Sequence, residues 1–364
     1  MTIVRSILFI LFFITCFIAC IKEVQPQLRN VKPFLVVEGS VSTDSVPYEV
    51  RLTYSGMIEL ANSIPDEFIE SEAVVTIKDD AGNSTLLSYR GNGYYTSTDS
   101  TFVGVEDRSY HVDVKLKDGR NYVSIPEKIP AAVPIDSVTA KFIPDFSLDH
   151  PAYFRAYVNS TDPAGEENFY KWEFYSYTRR QTLGVGCGFN CVIFEYCLQK
   201  NSENELHIRS DADINGNAIL DVGIGNSYIY TYGVQYIDVA QISMTKNAFQ
   251  FWNIYKEQTT RTGDILDPLP ALIRGNIYNV NDANEFALGF FSARNIFRKR
   301  LVINPLHISE YLLLVSANSF IHKQSVPCFD HYPNTLRYPP PPAEQVPPPP
   351  GWANADTLNV YFSY

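Results

Sequence analysis

Apolar and polar residues alternate with a period of two through most of this chain, and that pattern predicts strands. The segment YEVRLTY at 48–54 is typical, with Tyr, Val and Leu on one face and charged residues or Thr on the other. Turn-forming sequences such as DDAGN at 79–83 separate these segments. Short strands between regular turn signals predict a mainly β fold, with an immunoglobulin-like β-sandwich over residues 34–131.

After a hinge at Pro134, strand patterns continue, and residues 135–364 are expected to form a larger β-rich second domain. One helix is predicted at about 245–261, where apolar residues recur at spacings of three and four. Ser243 or Thr245 is expected to cap its start, and Gly263 to end it. Its apolar stripe is expected to pack against a sheet and consists of Ala248, Phe251, Trp252 and Tyr255.

The last part of the chain contains two four-proline runs within residues 339–350. Proline favours the stiff polyproline II conformation, so this segment predicts a rigid strut rather than a sheet strand. The sequence TLNVYFSY at 357–364 then alternates again. It predicts a last strand that returns to a sheet.

The N-terminus carries Arg5 and then an apolar run from Ile7 to Ala19. A helix of that length rises about 20 Å, too little for a hydrocarbon core of about 30 Å, so residues 1–19 are expected to be a signal peptide. FIAC at 17–20 resembles a bacterial lipobox, which predicts lipid attachment at Cys20 and a tether over residues 20–33. An ordinary signal peptide is the alternative, and Cys16 fits less well because Thr15 precedes it.

The charge balance bears on partners. The chain has 40 acidic and 29 basic residues and a formal net charge of −11, and its longest basic run is Arg298-Lys299-Arg300. Because nucleic-acid binding depends on clustered positive charge, nucleic acid is not expected as a partner.

Four cysteines follow Cys20, and in an oxidising compartment an even number favours two disulfides with three connectivities left open. A zinc site that includes His322 and His331 is the alternative, but the cysteine spacing matches no zinc pattern. The four candidate disulfide residues are Cys187, Cys191, Cys197 and Cys328.

The loop DADINGNAILD at 211–221 resembles a calcium-binding loop, with Asp211, Asp213 and Asn215 at the first, third and fifth positions. The twelfth position, where a bidentate acid belongs, is Val222. We therefore expect an Asn-Gly hairpin turn between strands and no metal or other cofactor, although these three residues remain a metal candidate.

One segment matches part of a catalytic motif, but the rest of the motif does not follow. Ser243-Met244-Thr245-Lys246 matches the S-x-x-K of penicillin-recognising enzymes, but the accompanying K-T-G-like and S-x-N-like pieces come in the wrong order. A serine that caps the predicted helix explains the match. The histidines share no spacing and are expected at the surface or in the core, and they include His111, His150, His207 and His307.

Several short segments in order resemble the DUF4249 family of Bacteroidota outer-membrane lipoproteins, a family without an established activity. They are LVVEG at 35–39, VTIKDDAG at 75–82, PIDSV at 134–138, Phe251-Trp252, DPLPALIRGNI at 267–277 and ALGFFSA at 287–293. The resemblance implies a place in the outer membrane, often beside TonB-dependent transporters that take up large nutrients.

The expected function is that of a non-catalytic outer-membrane lipoprotein, anchored through Cys20 and facing the cell surface. It would bind an unknown glycan or peptide, or assist a TonB-dependent transporter in nutrient uptake. One alternative is a structural, adhesin or envelope-assembly lipoprotein. Another is a surface hydrolase acting on glycan or peptide, which predicts converging titratable groups in a deep pocket.

Overall fold

The computed structural model describes much of the chain from residue 33 onward. The described residues are 33–44, 46–56, 64–145, 152–183, 194–203, 205–229, 234–260, 272–282, 284–304, 352 and 356–359. Phe34–Tyr364 form one compact unit. In the described part, no helix is long and apolar enough to cross a membrane.

Nineteen strands, one α-helix and a short 3-10 helix at Asp66–Phe68 form in the described part of the chain, so the predicted mainly β class with one helix is confirmed. The helix, α1, spans Lys246–Thr259. The strands are β1 Leu35–Ser42, β2 Glu49–Tyr54, β3 Val74–Asp79, β4 Ser84–Gly91, β5 Tyr94–Ser97, β6 Ser109–Lys115, β7 Asn121–Ser124, β8 Glu127–Lys128, β9 Ile135–Pro144, β10 Ala152–Thr161, β11 Phe169–Leu183, β12 Phe194–Ser202, β13 His207–Ser210, β14 Ala218–Ile229, β15 Gln235–Ser243, β16 Arg274–Asn279, β17 Phe286–Leu288, β18 Phe291–Asn304 and β19 Asp356–Asn359.

Nine strands close into a β-barrel in the order β1-β2-β5-β4-β3-β6-β7-β16-β17, and β17 pairs in parallel with β1 to complete the ring. Inward-facing residues of these strands form one core, which includes Val37, Leu52, Ile77 and Val112. Two residues near the seam, Ile277 on β16 and Ala287 on β17, belong to the same core.

The immunoglobulin-like sandwich predicted over residues 34–131 is not confirmed. Seven barrel strands come from that segment, but β16 and β17 come from Arg274–Leu288 and complete the ring. The period-two pattern is the same for a sandwich and a barrel, since both bury alternate residues, so it cannot report which strands close a ring.

Two glycines allow the seam to close. A Cβ on Gly275 would collide with the carbonyl oxygen of Gly289, and a Cβ on Gly289 would collide with the carbonyl oxygen of Val37. Gly289 also has a positive φ of 85°. The seam therefore needs glycine at both positions, because any side chain would hold the strands apart.

The second half of the chain forms two packed layers. β9, β10 and β14 make a three-stranded antiparallel sheet, and β11, β15 and β18 belong to the larger sheet that continues into the barrel. A second core lies between them and includes Phe154 on β10 and Trp172 on β11. Along the first part of the chain the barrel core runs to Ile129, and the second core begins at Val133, although Ile277 and Ala287 return to the barrel core. The domain limits at 131 and 135 stay a prediction.

Helix α1 begins close to its predicted position. Thr245 is the N-cap, and its Oγ1 accepts a hydrogen bond from the Ala248 backbone N–H at 3.2 Å. Of the two expected caps, Thr245 is therefore the one used, and Gly263 lies outside the described residues. Ala248, Phe251 and Trp252 pack against a cluster that includes Phe169 and Phe290, which confirms packing against a sheet for these three, whereas Tyr255 is exposed.

The predicted return of the C-terminal segment is confirmed for Asp356–Asn359, which pairs in parallel with Leu301–Asn304 of β18. Trp352 is 5% exposed and packs with Tyr177 and Tyr236. The proline-rich segment 339–350 lies outside the described residues.

Candidate functional site

A cleft of about 340 Å³ opens between the first part of β11, the crossing from β12 to β13, and helix α1. Lys171, Glu173 and Tyr175 line it from β11, and Trp252 and Tyr255 line it from the helix. Its rim carries further polar side chains, namely Ser202, Glu203, Glu205 and His207. Its volume lies at the lower end of the range typical of small-ligand pockets.

Strand alternation explains which residues of β11 face the helix, although Trp172 and Phe174 from the core side also line the cleft. In FYKWEFY at 169–175, Tyr170, Trp172 and Phe174 enter the core, so the residues between them fall on the opposite face. That face carries Lys171 and Glu173 toward α1. The helix presents Trp252 above them because Ala248, one turn earlier, is buried against the sheet.

Lys171 and Glu173 form the charged floor of the cleft. Lys171 Nζ lies 3.1 Å from Glu173 Oε1 and 4.6 Å from the centre of the Trp252 ring. Arg294 Nη1 on β18 lies 3.5 Å from the same Glu173 oxygen. Burial acts to raise the pKa of Glu173, but the charges of Lys171 and Arg294 outweigh it and hold this pKa below its usual value. Glu173 is therefore a carboxylate fixed between two cations.

His207 supplies a different kind of group at the rim. Burial lowers its pKa, so the ring is neutral at pH 7. Its Nε2 is buried and has no hydrogen-bond partner within the described part of the chain, while Glu205 Oε2 lies 4.0 Å away. A ligand with a hydroxyl or amide group could satisfy this nitrogen.

The arrangement suits binding of a small polar ligand. Aromatic surface from Trp252 and Tyr255 can cover an apolar ring face, and Lys171, Glu173 and His207 offer donors and acceptors. Tyr255 is 43% exposed, so part of its surface is accessible. These five residues were not singled out as a site from the sequence, although two charged residues set into the aromatic run FYKWEFY were a readable signal.

The sequence-predicted lipidation and disulfide residues fall elsewhere. Cys20, like Cys16, lies outside the described residues, as do Cys187, Cys191 and Cys328. Cys197 lies on β12, where its backbone pairs opposite Arg180. Lipidation and the disulfides therefore stay predictions.

The proposed calcium residues build a turn. Asp211 is 2% exposed and its Oδ2 accepts a hydrogen bond from the Asn168 N–H at 2.8 Å, while the Asn215 side chain accepts one from the Gly165 N–H at 2.8 Å. Asp213 is exposed. Among the described residues, no group of three or more His, Cys, Asp or Glu side chains is placed to hold a metal ion.

The expected hairpin around Asn215-Gly216 is corrected in one respect. The turn is present, and Gly216 has a positive φ of 78°, but the flanking strands do not pair with each other. β13 pairs with β11, and β14 pairs with β10, so the turn passes from one sheet to the other. Buried Asp162 fixes it by accepting the Gly216 N–H at 2.9 Å.

The S-x-x-K match has the structural role expected of a helix start, although Thr245 rather than Ser243 is the cap. Ser243 is buried at the end of β15, and Lys246 Nζ forms an ion pair with Glu167 at 2.9 Å on the surface. Thr245 also donates a hydrogen bond to Glu127. The serine and the lysine therefore do not face each other as a nucleophile and its base would.

Residues 21–300 match the family described as "Domain of unknown function (DUF4249)", which is more than half of the chain. The chain belongs to the DUF4249 family. Both seam glycines, the cleft residues and α1 lie inside the matched region of this DUF4249 protein. No curated protein matches the chain.

Among solved structures, this DUF4249 chain is similar to one described as "Crystal structure of tetra-tandem repeat in extending region of large adhesion protein". The identity is 12%, the match covers 57% of this chain and 70% of the other, and the TM-score is 0.15. A TM-score this low carries no argument about fold or function.

Proposed function

We propose that this DUF4249 protein is a non-catalytic outer-membrane lipoprotein that faces the cell surface and binds a small glycan or peptide. In this proposal it is an accessory partner of a TonB-dependent transporter in nutrient uptake. The observation that carries the binding role is the cleft beneath α1, where aromatic and charged side chains converge. The lipobox ending at Cys20 supports the membrane anchor.

The charged floor supports binding in particular. Glu173 is fixed as a carboxylate by Lys171 and Arg294, so its oxygens are oriented before a ligand arrives. Preorganised polar groups raise affinity because less conformational freedom is lost on binding. Trp252 is held by Lys171 and by a ring contact with Phe251 at 5.4 Å.

Intrinsic fluorescence tests the binding role. The chain has three tryptophans: Trp252 is half-buried in the cleft, Trp172 at 3% exposure also lines it, and Trp352 at 5% exposure lies outside its lining. A panel of oligosaccharides and short peptides should contain a ligand that changes the emission of the wild-type protein. Trp252→Phe should remove most of that change, because Trp252 is the more exposed of the two tryptophans that line the cleft, and Trp352→Phe, the matched control, should retain it in full. If no member of the panel changes the emission, or if Trp252→Phe responds like wild type, the cleft is not the binding site.

Membrane fractionation and co-purification test the anchor and the partnership. Cys20→Ser should block lipid attachment and leave an uncut precursor, whereas Cys16→Ser should mature normally. Mass spectrometry of the N-terminal peptide reads both outcomes directly.

Wild-type protein solubilised in mild detergent should co-purify with an outer-membrane transporter, and recovery without one would contradict the partnership.

A further inference from the structure

The outer face of the three-stranded sheet β14-β10-β9 carries an unusual set of side chains. On β10, Phe154, Ala156 and Val158 are buried in the second core, so the residues between them face outward. These outward residues are Tyr153, Arg155, Tyr157 and Asn159.

Two cations lie directly opposite each other at the centre of this face. Arg155 on β10 is the register partner of Lys141 on β9, and both are exposed. Like charges at directly opposed positions of an antiparallel pair destabilise the sheet. In the described part of the chain neither residue forms an ion pair, and the contact of Lys141 with the Tyr157 ring offsets only part of this repulsion, because it does not neutralise the charge. An arrangement that costs stability in the free protein suggests that an anion binds between the two cations.

Aromatic rings flank the cation pair on both sides. Tyr153 precedes Arg155 by two residues and Tyr157 follows it by two, which places the two tyrosines about 13 Å apart along the strand. Lys141 Nζ lies 4.6 Å from the centre of the Tyr157 ring, and Tyr153 packs beside Tyr228 with ring centres 5.7 Å apart. Along β10 the face therefore presents one tyrosine ring, then the two cations, and then a second tyrosine ring.

The neighbouring strand leaves room for this array. Gly223 on β14 is the register partner of Tyr157, and a Cβ there would lie 3.1 Å from Arg155 Nε. A side chain at 223 would press on the guanidinium. The Glu203 carboxylate lies level with Arg155 beyond β14, since its Oε2 accepts the N–H of Asn226, the register partner of Arg155, at 3.4 Å. It forms no ion pair with Arg155 in the described part of the chain. The centre thus carries two positive charges in a chain whose formal net charge is −11.

We propose that this face, the tyrosine-cation face defined by Tyr153, Arg155, Tyr157 and Lys141, binds an acidic polysaccharide that contains uronic acid units. A carboxylate on one sugar accepts hydrogen bonds from Arg155 and Lys141, and sugar rings on either side contact the tyrosines. Because Tyr153 and Tyr157 lie far from each other, a single sugar cannot contact both, and the ligand must be a chain of sugars. A peptide is less suited, since extended peptides usually add to a sheet edge and this surface is a sheet face.

This inference deepens the proposed binding role and rests on it, since it names a ligand class and a second surface. Its failure can be distinguished from failure of that proposal. Tyr157→Ala should leave transporter co-purification and the Trp252 fluorescence response unchanged, because Tyr157 lies outside the cleft lining.

Calorimetric titration of the detergent-solubilised full-length protein with polygalacturonate tests the proposal, with neutral dextran and poly-glutamate as comparison ligands. Wild type should bind polygalacturonate and should bind neither comparison ligand with similar affinity. Arg155→Gln and Tyr157→Ala should each weaken binding about tenfold or more, since each removes a charge-assisted or aromatic contact. Arg155→Lys, which keeps the charge, should retain a larger part of the affinity than Arg155→Gln.

Arg51 and Tyr94 on the barrel provide the matched control. Arg51 stacks on Tyr94 at 4.9 Å, but its register partner is the acidic Glu38, so an acid and not a second cation lies opposite it. Arg51→Gln should leave polygalacturonate affinity within about twofold of wild type. Absence of wild-type binding to polygalacturonate, or unchanged affinity in Arg155→Gln, would overturn the proposal. Equal affinity for poly-glutamate would also overturn it and would indicate an acidic peptide instead.

Discussion

At the scale of single residues, Gln241 on β15 shows how a buried polar side chain is accommodated. It is 1% exposed, and its Oε1 accepts hydrogen bonds from Ser160 at 2.6 Å and from the Trp172 indole at 2.9 Å. Its Nε2 donates to the Val133 carbonyl at 2.9 Å. Gln241→Leu should lower the free energy of unfolding by about 2 kcal/mol or more, because three buried groups lose their partner. Chemical denaturation measures this, and Gln250→Leu on the exposed side of α1 should change stability by less than about 0.5 kcal/mol.

Glu127 is a second buried polar residue, and its ionisation should make the stability of the protein depend on pH. It is 1% exposed and accepts hydrogen bonds from Thr245 and from Asn247. Burial raises its pKa despite these bonds, so the folded state binds the proton more tightly than the unfolded state. Stability from this group is fully present below the unfolded-state pKa and is lost as the pH rises through the higher folded-state pKa.

Glu127→Gln should therefore be more stable than wild type at pH 7, because Gln resembles the protonated acid. The difference should shrink as the pH falls toward 4, about the pKa of an unperturbed Glu. Thermal denaturation across this range measures the trend. Glu167→Gln, near the same helix start but exposed, should show no comparable trend. A Glu127→Gln protein that is less stable at pH 7 would mean that attraction of the carboxylate to the helix N-terminus outweighs its burial.

At the scale of secondary-structure elements, the β9–β10 pair should be stronger without its opposed cations. Lys141→Glu replaces repulsion with attraction to Arg155 and should raise the free energy of unfolding by about 0.2–1 kcal/mol. Lys115→Glu on β6 makes the same charge change opposite Asn121 and Val74, so it should not stabilise. Urea denaturation distinguishes them. The same Lys141→Glu protein should lose polygalacturonate binding. A gain in stability without loss of binding would show that the repulsion between Arg155 and Lys141 is unrelated to ligand binding.

Individual elements were predictable because their signals are local. The 3.6-residue period placed α1 within two residues at each end, and Thr245 was one of two expected caps. The alternation of YEVRLTY likewise identified β2. The cleft was not predictable, since it joins Lys171 on β11 to Trp252 on α1, and no local pattern relates residues so far apart. The opposed pair of Arg155 and Lys141 depends on strand register, which alternation alone leaves open.

At the scale of the whole molecule, closure of the barrel joins distant parts of the chain. β7 pairs with β16, and β1 pairs with both β17 and β18, so two of the first seven strands have partners more than a hundred residues downstream. The barrel core likewise includes Ile277, Ala287, Phe291 and Ala293. A sequence-based division at residues 131–135 follows the change of core. It cannot include these pairings, because in each of them one strand lies before the division and its partner lies after it.

A fragment of residues 34–131 should therefore fail to fold alone. It would leave β1 and β7 as unpaired edges and would expose core residues that β16, β17 and β18 cover in the whole chain. We expect poor amide dispersion in its NMR spectrum and no cooperative thermal transition. A fragment of residues 34–304 retains the seam strands and should melt cooperatively, which controls for truncation itself. A dispersed spectrum and a cooperative transition from residues 34–131 alone would contradict this prediction. It would show that these residues form an independently stable sandwich to which the downstream strands add little stability. If the short fragment fails to fold and the long one folds, the stability of the barrel depends on the pairing of β1 and β7 with the downstream strands at the seam.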